Sequence, residues 1–126
     1  MNAANPTSLA CQQCGYDGVP ASLASMAKMC WDQAEASGFH DAAPRSTLER
    51  AMLVVTELAE LSEAARHGIL QAPSDHIPEF TNAEEEWADV LVRVFDHCWD
   101  DGVTGERLGQ AFVAKLAYNR TRPYRH

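Results

Sequence analysis

Two pairs of acidic residues have the types and spacing of a metal centre: Glu57 with Glu60, and Glu86 with Asp89. The members of each pair are three residues apart within an apolar, helix-forming segment. On an α-helix this spacing places both side chains on one face, roughly 60° apart. Carboxylates are hard oxygen ligands, which suit Mg²⁺ or Mn²⁺ better than zinc. The pattern therefore predicts a divalent metal site formed by acids from two helices.

Such a site suits hydrolysis of phosphate compounds. Substrate phosphates typically complete the ligand shell of Mg²⁺, and a water beside the metal or a free carboxylate can be deprotonated and directed at phosphorus. Glu57 and Glu60 are the candidate catalytic bases. Glu57 is the more informative, because a helical wheel places it among aliphatic residues, where an acid needs a cation or a donor. The alternative is a non-catalytic helical protein whose acids are only surface or interface charge.

Capping residues and helical periodicity predict the elements that position these acids. Four helices are expected, at about residues 23–37, 47–67, 82–101 and 105–119. Their predicted N-caps are Ser22, Ser46, Thr81 or Asn82, and Thr104. The prediction is thus an all-α, four-helix bundle over residues 21–126, preceded by a flexible arm over residues 1–20.

Apolar residues indicate which helix faces are buried. On the second helix we expect one core-facing stripe, made of Leu48, Met52, Val55, Leu58, Ala59 and Ser62. On the third helix the apolar residues cover more than half of the circumference, which favours burial on two sides, as when a bundle helix also contacts another subunit. We therefore expect a homo-dimer or homo-tetramer.

Composition narrows the class of protein. The chain has 126 residues and a net charge of −8, which disfavours binding to long nucleic acid. No segment reads as a membrane span or a signal peptide. The four cysteines do not suggest a disulfide framework, so we expect a cytoplasmic protein. Cys11 and Cys14 resemble half of a zinc site, but no second pair follows, and two free thiols are the expected state.

Several other residues are candidate substrate ligands. Trp31 and His40, near the end of the first helix, are expected to line a pocket for a flat ligand, although simple packing is the alternative. Arg93 shares the polar arc of the third helix with Glu86 and Asp89. A basic cluster near the C-terminus suits phosphate, with a solvated tail as the alternative. Its candidate ligands are Lys115, Asn119 and Arg122.

Three motifs together carry a family resemblance. They are Glu57-Leu-Ala-Glu60 through Arg66, then Glu85-Glu86-Trp-Ala-Asp89-Val90, and finally Lys115-Leu-Ala-Tyr118-Asn119-Arg-Thr-Arg122-Pro123-Tyr124-Arg125-His126. Over roughly residues 23–126 the chain resembles the MazG-like, all-α nucleoside triphosphate pyrophosphohydrolases. The arm that contains Cys11 and Cys14 falls outside the resemblance.

The resemblance implies a fold, a cofactor and a reaction. It implies a helical bundle that forms dimers or tetramers, with Mg²⁺ held by acids matching Glu57, Glu60, Glu86 and Asp89. The implied reaction converts a (deoxy)nucleoside triphosphate to the monophosphate and pyrophosphate. Lys115, Asn119 and Arg122 match phosphate- or sugar-side positions. A related enzyme restricted to phosphoribosyl-ATP or to dUTP and dCTP is the nearest alternative.

Overall fold

A computed structural model describes residues 16–123, and this part of the chain is helical. The elements are α1 (Val19–Ala36), α2 (Thr47–Arg66), α3 (Asn82–His97), a 3-10 turn (Cys98–Asp101) and α4 (Gly105–Thr121). Within the described residues the only strand-type pairing is an isolated bridge between Pro73 and Thr81. The all-α prediction is confirmed.

Local capping chemistry accounts for the starts of three helices. Ser46 accepts a hydrogen bond from the backbone N–H of Glu49, whose carboxylate accepts one from the N–H of Ser46. Thr81 and Glu84 form the same reciprocal box at α3, and Thr104 caps α4. These boxes satisfy donors that a helix start leaves unpaired.

The first helix begins earlier than predicted. It starts at Val19 after Gly18, without a side-chain cap, so the prediction of Ser22 as N-cap is wrong. Pro20 lies in the first turn, where its missing N–H costs no hydrogen bond. The boundary of the predicted arm at residue 20 therefore falls inside α1. Cys11 and Cys14 lie outside the described residues.

The helices pack in the order α4, α1, α3, α2, because the principal contacts join α1 to α4, α1 to α3, and α2 to α3. Close approach of α4 to α1 depends on two glycines. A Cβ added at Gly105 would lie 2.6 Å from the carbonyl oxygen of Leu23, and one at Gly109 would lie 2.6 Å from the Cα of Pro20. No larger residue fits at either position without movement of the backbone.

The second and third helices run antiparallel. Arg93 contacts Glu57 near the middle of the pair, and Asp101 contacts Arg50 at the end where α2 begins. The inner face of α2 therefore carries Arg50, Glu57 and Ala64, all of which are buried. This pairing sets the two acid-bearing segments opposite each other.

The predicted core-facing stripe of α2 lies on the opposite face and is exposed in the single chain. The exposed fractions are 80% for Leu48, 60% for Met52, 48% for Val55 and 37% for Leu58. Ala59 and Ser62 are exposed as well. The prediction was wrong because α2 turns its acid-bearing face, and not its most continuous apolar stripe, toward α3. None of the helices over residues 16–123 is long and apolar enough to cross a membrane.

Candidate metal centre and adjoining cavity

Three of the four predicted metal ligands come together between α2 and α3. Carboxylate oxygens of Glu57, Glu60 and Glu86 all lie within 4.8 Å of one another. Glu57 is only 7% exposed, whereas Glu60 reaches the surface. Glu57 and Glu60 share a face because one helical turn separates them, and the antiparallel pairing brings Glu86 across from α3. A group with a buried and an open side fits a cation that also meets a ligand from solvent.

The acids of this centre lack sufficient compensating charge. Burial raises the pKa of Glu86, and repulsion from Glu60 and Asp89 adds to the increase. Burial also raises the pKa of Asp89, with Glu57 as the next cause. Oxygen Oε2 of Glu86 is buried and has no hydrogen-bond partner within the described residues. Asp89 is not part of the group formed by the oxygens of Glu57, Glu60 and Glu86. Glu57 still raises the pKa of Asp89 by repulsion, so the two carboxylates interact electrostatically.

The neighbouring acid Glu85 has a different role. Its carboxylate accepts a hydrogen bond from the hydroxyl of buried Ser74 and lies 2.8 Å from Nδ1 of His76. The bond from Ser74 is the main cause that lowers the pKa of Glu85. Glu85 therefore anchors the loop that leads into α3 through its bonds to Ser74 and His76.

Arg93 brings a positive charge to the centre. Its Nε lies 2.8 Å from Oε1 of Glu57, so it partly neutralises the most buried acid. The Arg93 side chain is 36% exposed, which leaves the guanidinium accessible from solvent. A divalent cation that binds Glu57 therefore competes with this guanidinium.

A cavity of about 200 Å³ lies further along the same pair of helices. The structure places Trp31 and His40 in its wall, with ring centroids 4.1 Å apart. Nε2 of His40 lies 2.9 Å from Asp96, and Nδ1 lies 2.6 Å from Glu35. Burial lowers the pKa of His40, but these two hydrogen bonds outweigh it, so the net shift is upward. The aromatic wall is thus fixed by bonds to α1 and α3.

A smaller cavity of about 90 Å³ lies beside this wall. It shares Phe39, Arg45 and Asp96 with the larger cavity, and Arg93 lines its other side. Arg93 in turn contacts Glu57. The two cavities are therefore neighbours, and Arg93 lies in the wall of the smaller one and borders the acid centre.

The three candidate ligands on α4 are not brought to the acids of the same chain. Lys115, Asn119 and Arg122 are exposed, and α4 packs on α1. The ammonium of Lys115 lies 4.7 Å from the ring centroid of Tyr118. Within residues 16–123 no hydrogen bond or ion pair joins these three side chains to the acid centre.

Two residues of the cavity were missed from the sequence. Arg50 is 8% exposed, and His97 is 7% exposed. Arg50 precedes Glu57 by seven residues, which is two helical turns and therefore the same face. That spacing was the available signal for Arg50. His97 had only its place on the polar arc of the third helix.

Searches of protein-family models, curated proteins and solved structures find no match to this chain.

Proposed function

We propose that this protein is a cytoplasmic, Mg²⁺-dependent pyrophosphohydrolase that converts (deoxy)nucleoside triphosphates to the monophosphate and pyrophosphate. The observation that carries the proposal is the convergence of Glu57, Glu60 and Glu86 with oxygens within 4.8 Å. Such a concentration of negative charge, with a buried oxygen of Glu86 left without a partner, calls for a cation. The motif resemblance supplies the reaction.

The donor set fits a hard divalent cation. Glu57, Glu60, Glu86 and Asp89 would hold Mg²⁺, and Mn²⁺ has the same preference for oxygen ligands. When bound, the metal would offset charge on the phosphate oxygens and favour deprotonation of water. Glu60 is the more exposed of the two candidate bases and can reach a water from solvent. Glu57 is held by Arg93 and acts mainly as a ligand.

The adjoining space suits the remainder of a nucleotide. Arg93 borders both the acid centre and the smaller cavity, where a guanidinium can bind a phosphate oxygen. The aromatic wall of Trp31 and His40 can accept a flat base. The proposed roles of Lys115, Asn119 and Arg122 rest on the motif resemblance alone.

The exposed stripe of α2 supports self-association as part of the proposal. Leu48, Met52 and Val55 are about half exposed or more, and Leu58 continues the row. Their exposure costs free energy in water, because burying one such side chain fully is worth about 1.5 to 3 kcal/mol. A second copy of the chain that covers this stripe with its own α2 would form a homo-dimer, and two such dimers a tetramer.

Purified protein should be incubated with Mg²⁺ and a panel of NTPs and dNTPs, with identification of the products. Pyrophosphate and the monophosphate are expected, and release of orthophosphate alone contradicts the reaction. Glu57→Gln and Asp89→Asn should each abolish turnover while leaving the helical circular dichroism unchanged. Glu79→Gln is the matched control, because Glu79 is exposed and lies outside the acid centre.

Two alternatives give different results in the same experiments. A related enzyme restricted to phosphoribosyl-ATP, or to dUTP and dCTP, would act on that substrate and leave the other triphosphates intact. A non-catalytic helical dimer would show neither heat of Mg²⁺ binding nor thermal stabilisation by Mg²⁺. The ion pair between Arg93 and Glu57 favours this second possibility, since it supplies part of the missing charge from within the chain.

A further inference from the structure

His97 is a buried residue that has no hydrogen-bond partner within residues 16–123. It is the last residue of α3 and is 7% exposed. Within the described residues neither Nδ1 nor Nε2 has a partner, and Oδ2 of Asp96 is 4.0 Å from Nε2. An unpaired polar group in the interior costs free energy that an apolar residue of the same shape would avoid. The imidazole is therefore suited to a partner that the folded chain does not itself supply.

The ring lines the cavity bounded by Trp31 and His40. Two other charged groups in this wall, Asp96 and Arg50, already have partners. Asp96 binds His40, and the terminal nitrogens of Arg50 bind the carbonyl oxygen of Arg45, the hydroxyl of Thr47 and the carboxylate of Asp101. The Nε of Arg50 has no hydrogen bond but lies 3.9 Å from Asp100. The imidazole thus has two buried nitrogens without a partner within residues 16–123, next to Asp96 and Arg50, whose charges are already paired.

The charge state of His97 indicates the chemistry of that partner. Burial lowers the pKa of His97, and Arg50 and Arg93 oppose protonation, which outweighs the effect of Asp96 and Asp100. A neutral imidazole presents one donor and one acceptor. A phosphate or carboxylate only accepts hydrogen bonds, so it would leave the acceptor nitrogen of a neutral imidazole without a partner. An uncharged heterocycle with donors and acceptors along its edge is a good one.

The position of the cavity fits the same ligand. Asp96 follows Asp89 by seven residues, and Arg50 precedes Glu57 by seven. Two turns of helix correspond to about 10.5 Å along the axis. The wall beside His97 therefore lies about one ribose and one base away from the acids, and the smaller cavity, lined by Arg93, adjoins it.

Resting on the function proposed above, we infer that His97 is a specificity-determining residue that hydrogen-bonds to the edge of the substrate nucleobase. The base would lie in the cavity beside Trp31 and His40, and the phosphates would extend past Arg93. Removal of the imidazole nitrogens should weaken binding of the base about tenfold, the effect of one buried hydrogen-bonding group. It should also narrow the differences in affinity among the bases.

The test uses nucleosides, which carry no phosphate, and the full chain labelled with ¹⁵N in its histidine rings. Titration with cytidine, uridine, adenosine and guanosine is followed by NMR without added metal. The signals of His97 are identified by their loss in His97→Leu. We expect at least one nucleoside to shift these nitrogens, and we expect His97→Leu to bind it about tenfold more weakly. His67→Leu is the control, because His67 is exposed and pairs with Glu63.

A purely structural role predicts the opposite pattern. Nitrogen signals of His97 that stay constant up to the solubility limit of all four nucleosides would overturn the inference, and this measurement needs no variant. Wild-type affinity in folded His97→Leu would overturn it as well. The outcome is separable from the proposed reaction. Pyrophosphate release with unmoved His97 signals removes only this inference, while nucleoside binding without pyrophosphate release removes only the reaction.

Discussion

Replacing Arg93 by methionine should make divalent metal bind more tightly while making substrate bind less well. The Nε of Arg93 lies 2.8 Å from Oε1 of Glu57, which is the most buried acid of the proposed metal centre. A cation that uses this oxygen must displace the guanidinium. Methionine keeps much of the unbranched stem of arginine but removes the charge.

The magnitude follows from the distance and the exposure. Two unit charges about 4 Å apart interact by about 4 kcal/mol at an effective dielectric constant near 20. The guanidinium is 36% exposed, so solvent screening and its own recovered hydration offset much of this attraction. A net gain of about 1 to 2 kcal/mol in metal binding remains, which corresponds to about 5- to 30-fold in Kd.

Titration calorimetry with Mg²⁺, repeated with Mn²⁺ by electron paramagnetic resonance, measures this change directly and needs no turnover. Arg93→Lys keeps a charge and should bind metal about as the wild type does. Arg66→Met is the control for net charge, because Arg66 lies at the exposed end of α2 and pairs with Glu63. In the activity assay Arg93→Met should raise KM, since the phosphates lose a positive neighbour.

Unchanged or weaker metal binding in Arg93→Met would refute the competition between guanidinium and cation. Equal tightening in Arg66→Met would show that the effect comes from net charge and not from the contact with Glu57. A wild-type protein that binds neither cation would remove the metal centre itself, whatever the variants do.

Three further predictions concern charge, assembly and packing. Glu86→Gln should raise the free energy of unfolding near neutral pH without metal, and Glu79→Gln should not. The pKa of Glu86 is raised in the folded state, so its carboxylate destabilises the fold above that pKa. Urea titrations at several pH values should show the gain in stability vanish as the pH falls below the ordinary pKa of a glutamate. Met52→Lys should dissociate the proposed dimer, because each copy loses about 1.5 to 3 kcal/mol of the free energy gained by burying this side chain. Sedimentation that shows the wild type to be monomeric would contradict this prediction. Gly105→Ala should destabilise the fold by about 1 to 3 kcal/mol, because its Cβ would overlap the backbone of α1. Gly18→Ala is the control, because a Cβ at residue 18 meets open space. Equal thermal stability of the two variants would contradict the prediction.

Local chemistry made the helix starts predictable. Ser46 with Glu49 is a capping box that needs only residues three apart, and the structure contains it. The start of α1 was missed because Pro20 was taken as part of a flexible arm, although proline is well tolerated in the first turn of a helix. Sequence signals that lie within one turn of helix therefore predict where a helix starts, provided that the position of proline in the first turn is considered.

The burial of α2 could not be predicted in the same way. Periodicity groups Met52 with Val55 on one face and Glu57 with Ala64 on another, but it does not decide which face meets α3. The more apolar face was the natural choice for the core, and it is the exposed one. Within the described residues the principal neighbour of α2 is α3, which covers the face that carries Glu57.

The candidate site was likewise predictable where it depends on spacing along one helix, and not where it depends on contacts between distant segments. Glu57 and Glu60 are close because of helical spacing, so their relation was predictable, and Glu86 joins them once α2 and α3 pair. The cavity was only partly predictable, because its wall depends on contacts between distant segments. His40 meets Asp96 across 56 positions of the sequence, and Arg50 meets Asp101 across 51. No periodic pattern encodes such pairs.

The distribution of charge along the paired α2 and α3 explains why one ligand suits both ends of this space. At the end near Glu86, burial and the neighbouring acids raise the pKa of Glu86, and one of its buried oxygens has no partner within residues 16–123, which fits the proposed cation. Two turns away Asp96 and Arg50 are paired with other groups, and His97, whose pKa burial lowers, has no hydrogen-bond partner within residues 16–123. A fully charged ligand would leave the nitrogens of His97 without a matching partner. A neutral ligand would leave the negative charge near Glu86 without a counter-charge. The proposed substrate, a metal-bound phosphate chain joined to an uncharged heterocycle, would satisfy both ends.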